Sequence, residues 1–131
     1  MVTFLYCDLK YTIRNFKRKG VFIMLEKIYS FSTDDTKHIE KLIDDDPVLI
    51  NHMILQKGEG LPEHYSNSNV YMVIIRGNMT LKLNEQEPHF YTYGHIINIP
   101  YHTKMSVYNF DDDVLEFFVV KSPNPKHYKE G

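Results

Sequence analysis

From residue 48 to residue 121 the apolar positions fall into short runs, some alternating with polar residues and some continuous, each closed by a turn signal. Residues 48–56 (VLINHMILQ), 70–76 and 79–84 are strand-like in this sense, and so are 89–93, 96–99, 104–110 and 114–121. Gly77-Asn78 separates two of the runs and has the composition of a two-residue hairpin turn. Upstream the period changes. Ile39, Leu42 and Ile43 recur at helical spacing behind a Ser32 or Thr33 cap, with Asp34 and Asp35 in the first turn, which predicts a short helix ending by Asp44. No helical pattern interrupts the later strands, so a parallel α/β sheet is excluded. The expected fold is all-β, an antiparallel sandwich or closed barrel with a short N-terminal helix.

A chain of 131 residues carries one core. It divides by pattern into residues 1–23, a lead-in over 24–47 that holds the helix, the barrel over 48–121, and a tail over 122–131 whose Pro123 and Pro125 argue for exposure. The consecutive carboxylates Asp44, Asp45 and Asp46 point in different directions before Pro47, so they read as a solvated turn and carry no chemistry.

Charge sharpens the division. Residues 1–23 hold five Lys or Arg against one acid, whereas the remainder holds ten basic and sixteen acidic residues. An acidic body is a poor match for a phosphate backbone, so nucleic acid is not an expected partner. Lys19-Gly20-Val21 is codable as a bacterial ribosome-binding sequence a few codons before Met24. The expectation is therefore a bacterial protein whose translation begins at Met24, with a basic arm or an extra edge strand as the alternatives. The single cysteine, Cys7, excludes an intramolecular disulfide and suits a reducing cytoplasm. No run approaches the ~20 apolar residues of a membrane helix, so no membrane partner is expected.

Candidate chemistry gathers in residues 57–77, KGEGLPEHYSNSNVYMVIIRG, where a glycine-rich turn delivers His64 ahead of an apolar strand. Over residues 48–121 the pattern resembles the cupin superfamily of RmlC-like double-stranded β-helix, or jelly-roll, barrels. The first cupin motif is G-x5-H-x-H-x3-4-E-x6-G, and Gly58, His64 and Gly77 stand at its first glycine, first histidine and closing glycine. The second is G-x5-P-x-G-x2-H-x3-N, and Gly94, Pro100 and Asn109 occupy its first, second and last places. The resemblance implies a single small barrel, and it implies pairing into a homodimer.

In metal-binding cupins the ligands are the two histidines and the glutamate of the first motif and the histidine of the second, a set suited to a divalent transition metal. Placed residue by residue, His64 alone is retained: Ser66, Val70 and Met105 take the other three positions, and His102 falls on the middle glycine of the second motif, where a positive φ is expected. His52, Glu63 and His102 are the residues that could rebuild a metal site around His64, with strand alternation turning His52 inward towards it. The replacements otherwise line an apolar interior with Val70, Met72, Met105 and Val107, leaving His64, Ser66 and Asn109 as polar points.

Tyr91, Tyr93, Tyr101 and Tyr108 lie near His89, His95 and His102 in sequence and read as cover for a sheet face or a subunit contact rather than a sugar platform. Nucleophilic catalysis by Cys7 or Ser66 lacks a partner at a recognisable spacing, and no glycine loop is followed by a helix that would cradle phosphate. The expectation is a non-catalytic small-molecule-binding module that needs no cofactor. The alternatives are a metal-dependent isomerase or dioxygenase of the superfamily's kind, and a purely structural dimeric barrel with a filled interior.

Overall fold

The computed structural model describes residues 24–36 and 38–128. The question of whether residues 1–23 form a basic arm, an edge strand or an untranslated leader lies outside the described residues. Nine strands follow in order: β1 (His38–Asp45), β2 (Val48–Leu55), β3 (Gly60–Tyr65), β4 (Val70–Arg76), β5 (Asn78–Leu83), β6 (His89–Thr92), β7 (Ile96–Ile99), β8 (Lys104–Tyr108) and β9 (Leu115–Lys121). They form two antiparallel sheets, ordered β1-β2-β9-β4-β7 and β3-β8-β5-β6. Among the described residues no helix is long and apolar enough to cross a membrane.

Period-two alternation sets which side chains meet between the sheets. In the larger sheet Met53 and Leu55 of β2, Val70, Met72 and Ile74 of β4, and Leu115, Phe117 and Val119 of β9 face inward. Leu61, Met79, Leu81, Met105 and Val107 close on them from the smaller sheet. The opposite face of β2 and β9 carries Ile50, His52, Ile54, Glu116 and Phe118, and the segment before β1 crosses it, with Phe31 against His52 and Phe118 at ring separations of 4.8 and 4.9 Å.

Three sequence expectations change. The predicted helix is strand β1, which pairs antiparallel with β2 across the Asp46-Pro47 turn. A register shift between Lys41 and Ile43 inserts a residue, so the apolar positions lose period two and imitate a helical spacing. Ladder bonds to β2 outweigh the weak helix preference of a stretch that holds Ile and Asp. Gly77-Asn78 is a corner and not a hairpin, because β4 pairs with β7 and β9 while β5 pairs with β6 and β8. Gly77 has φ of +84°, and a Cβ there would collide with the Val114 carbonyl oxygen, so the chain changes sheets where only glycine fits.

The tail, expected to be exposed, packs as far as Tyr128. Asn124 is buried and donates from Nδ2 to Asp44 Oδ1 and the Asp45 carbonyl, a turn of 3-10 helix spans Pro125–Tyr128, and Tyr128 stacks on Tyr101 at 4.1 Å. The acid-rich turn is thereby tied to the C-terminal segment. Edge strand β3 is an addition to the predicted set: with Gly60, Pro62 and only Leu61 buried, it lacks the apolar alternation that marks its neighbours.

Candidate functional site

At the mouth of the barrel, β3 and β8 place His64 opposite Met105. Met53, Val70, Met72 and Val119 complete an apolar wall there, and Asn67 and Lys121 stand at the rim. The enclosed space is about 30 Å³, the room of one water molecule. Val70, Met72, Met105 and Val107 are all buried in the core as the alternation requires. His64 is exposed and its Nδ1 hydrogen-bonds the Pro62 carbonyl oxygen at 2.7 Å. Lys121 follows Val119 on the inward face, has no ion-pair partner among the described residues, and burial, reinforced by the charge of Lys41, pushes its ammonium pKa down.

The other predicted site residues are placed differently. Ser66 is a fastener: its Oγ donates to the Pro100 carbonyl at 2.6 Å and accepts from the Thr103 amide at 2.8 Å. Asn109 does the same beside β2, donating to the Leu55 and Asp113 carbonyls and accepting from the Asp111 amide. Glu63 points away from His64 and accepts from Ser106 Oγ. His102 takes the positive φ expected of it, +64°, and lies stacked on Tyr65 at 4.9 Å over an open groove shared with Tyr101 and Tyr128. The tyrosines do not form one platform: Tyr91 packs on the core, Tyr93 is exposed, Tyr101 meets Tyr128 and Tyr108 stacks on Phe110.

His52 corrects the sequence reading most. It faces outward from the larger sheet, not towards His64, because Met53 and not His52 shares the inner face with Phe117. No ion at the barrel mouth therefore finds the superfamily's four donors. Val70 and Met105 offer buried apolar side chains, the Ser66 oxygen is committed to two backbone partners, and His64 is left alone. The residues present do not fit the superfamily's metal at that position, and Glu63, His52 and His102 do not converge to replace it.

A denser polar cluster sits on the outer face. His52 is fully buried between two carboxylates, with Nδ1 2.7 Å from Glu40 Oε1 and Nε2 2.7 Å from Glu116 Oε2. Glu116 Oε1 also meets Arg76 at 3.0 Å, and Arg76 reaches Asp35 at 2.6 Å. The Ser32 amide, donating to Glu40 Oε1 at 3.0 Å, and then His52 hold the Glu40 carboxyl below the usual range. The hydrogen bond from Arg76 does the same for Asp35. His38 adds its Nε2 3.3 Å from Glu40 Oε1. His38, Glu40 and Glu116 carry no motif spacing; the Glu40–His52 pairing needs β1 to be a strand, which the helix expectation hid.

Comparison with known proteins agrees with the architecture. An uncharacterized protein of the archaeon Methanocaldococcus jannaschii is 52% identical over 104 residues, covering 79% of this chain and 90% of the relative. The crystal structure of an RmlC-like cupin family protein with a double-stranded β-helix fold from the same organism superposes with a TM-score of 0.77 at 51% identity, over 80% of this chain and 97% of that one. A cupin superfamily protein of Desulfitobacterium hafniense shares the fold at a TM-score of 0.60 and 13% identity, over 71% of this chain and 83% of that one. No protein-family model matches the chain. With the two-sheet topology, the motif glycines Gly58, Gly77 and Gly94 all at positive φ, and a relative of this identity over most of its length, the chain belongs to the cupin superfamily as a small RmlC-like double-stranded β-helix.

Proposed function

We propose that this cupin is a non-catalytic binding module whose barrel mouth takes a small apolar molecule carrying an acidic group. The observation that carries the reading is Lys121. It stands on the inward face beside Val119 without a carboxylate partner among the described residues, and its desolvation favours the arrival of an anion. The wall beneath it, built from Met53, Val70, Met72 and Met105, suits the apolar part of such a ligand, and His64 and Asn67 offer hydrogen bonds at the rim. With about 30 Å³ free, entry requires the side chains to move, and three of them are methionines, which change rotamer at little cost.

The same small volume favours a second reading, a filled barrel with a structural role. Thermal unfolding in the presence of straight-chain carboxylates of four to eight carbons separates the two. A binder present at 100 times its dissociation constant stabilises by about 2.7 kcal/mol. The binding reading expects a chain-length-dependent rise in Tm that Lys121→Met removes. No rise with any carboxylate leaves the filled barrel.

A further inference from the structure

We propose that His38, Glu40 and His52 form a divalent transition-metal site on the outer face of the larger sheet, away from the barrel mouth. The backbone brings them together directly. Glu40 pairs with His52 across the β1–β2 ladder, and His38, two residues before Glu40, shares its face. One donor atom from each lies within 4.8 Å of the other two.

Hydrogen bonding then fixes which nitrogens are free. The Thr36 carbonyl can only accept, so the His38 Nδ1 facing it at 2.6 Å carries the hydrogen and Nε2 holds the lone pair. That Nε2 is buried and has no hydrogen-bond partner. On His52 both nitrogens face carboxylates at 2.7 Å, Nε2 towards Glu116 and Nδ1 towards Glu40, so a metal at Nδ1 takes the place of the proton shared with Glu40 while Nε2–H stays on Glu116. The unpartnered His38 Nε2 and the His52 Nδ1 thus flank the Glu40 Oε1, at 3.3 and 2.7 Å from that oxygen. A divalent cation that displaces the His52 Nδ1 proton would meet two imidazole nitrogens and one carboxylate oxygen.

His52 is backed by Glu116, the carboxylate–histidine arrangement that orients metal-bound imidazoles, and Glu116 is fixed in turn by Arg76 and Asp35. Bonds of ~2.1 Å in a tetrahedral site put donors about 3.4 Å apart, so the His38–Glu40 spacing is already right, Glu40 and His52 separate by a fraction of an ångström, and the two imidazole nitrogens, within 4.8 Å of each other, close to the same spacing. Phe31 and Phe118 wall off His52 at 4.8 and 5.0 Å, whereas the partly exposed Glu40 and His38 leave the solvent side open for a water as fourth ligand. A set of two imidazoles and one carboxylate suits Zn²⁺.

The test uses the full chain after chelator treatment, titrated with Zn²⁺ by calorimetry and with Co²⁺ by visible absorption. One Zn²⁺ per chain and the intense d–d bands of tetrahedral Co²⁺ are expected. Glu116→Gln should weaken Zn²⁺ binding by roughly 10–100-fold, and His38→Ala by more. The Co²⁺ spectrum of the unaltered chain keeps the test decisive if a variant fails to fold. Absence of binding, unchanged affinity in folded His38→Ala, or affinity lost in His64→Ala instead overturns the site; the first of these leaves a proton-bridged network.

Discussion

His52 and Glu116 meet across the β2–β9 ladder with Nε2 and Oε2 2.7 Å apart, Glu116 standing opposite Ile54 rather than opposite His52 itself. The contact is diagonal, and it joins the two strands on the face that the barrel core does not use. Glu116 is the shared acceptor for His52 and Arg76, so its loss strands the buried His52 Nε2 and leaves Arg76 on Asp35 alone. Glu116→Leu is expected to destabilise by about 1–3 kcal/mol, the cost of leaving a buried donor unsatisfied. His52→Leu leaves Glu116 on Arg76 and Glu40 on the Ser32 amide, and should cost clearly less. Urea unfolding of the two single variants and the double variant gives the coupling, and equal costs would contradict the shared-acceptor arrangement.

The acid limb of stability follows from the same cluster. Glu40 is held below its ordinary value of 4.5 by the Ser32 amide and His52. Asp35 is held below 3.8 by Arg76, Asp44 by Asn124 and Asp46 by Lys126. A carboxylate with a depressed folded pKa adds stability above its unfolded value and loses it as pH falls through the folded one. The contribution of these carboxylates to the unfolding free energy should therefore be level above about pH 5 and decline below it. In Glu40→Gln the decline should be shallower, with a lower plateau; an unchanged acid limb in that variant would show that the Ser32 and His52 contacts do not hold in solution.

What could be read from the sequence divides along the physics of these residues. Val70, Met72, Met105 and Val107 were legible as interior because strand alternation and motif spacing agree on them. His102 was legible as a positive-φ residue because the glycine it replaces implies one. His52 was not, since Asn51 and His52 put one polar residue on each face of an otherwise apolar β2, and the register that decides between the faces is set by β9, more than 60 residues after His52. Ser66 and Asn109 looked like polar points in a pocket, and only the backbone groups around them reveal that their hydrogen bonds are spent on holding loops. Asn124 was hidden for the same reason: a polar residue between prolines reads as solvent-exposed until the Asp44–Asp45 turn arrives beside it.

The sheet-switching corner offers a contrast between two glycines. Gly77 and Gly58 have nearly the same φ, +84° and +81°, but a Cβ at Gly58 meets nothing within 4 Å, whereas one at Gly77 runs into the Val114 carbonyl oxygen and Leu115. Gly58→Ala should cost only the left-handed backbone term, about 1–2 kcal/mol. Gly77→Ala adds a backbone collision that forces β9 to move, and should cost at least about 2 kcal/mol more. Denaturant midpoints of the two variants measure the difference directly, and equal midpoints would mean that the corner yields where the packing says it cannot.

Lys121 gives a prediction whose sign can be fixed in advance. Burial next to the apolar mouth, with Lys41 adding like charge, lowers its folded pKa below the ordinary 10.5, so at neutral pH the folded protein carries an ammonium where it is disfavoured. The unfolded chain then binds more protons between the two pKa values, and stability from this group rises with pH across that interval. Lys121→Met keeps the length of the side chain and removes the charge. Its Tm should exceed that of the unaltered protein at pH 7, and the gap should narrow as the pH approaches 10.5. A carboxylate seated at the mouth relieves the same penalty, so adding a bound ligand at pH 7 should close the gap from the other side by raising the unaltered protein alone. A Tm for Lys121→Met that lies below the unaltered protein at every pH would mean that the ammonium is favourably placed, and would remove the charge argument for an acidic ligand.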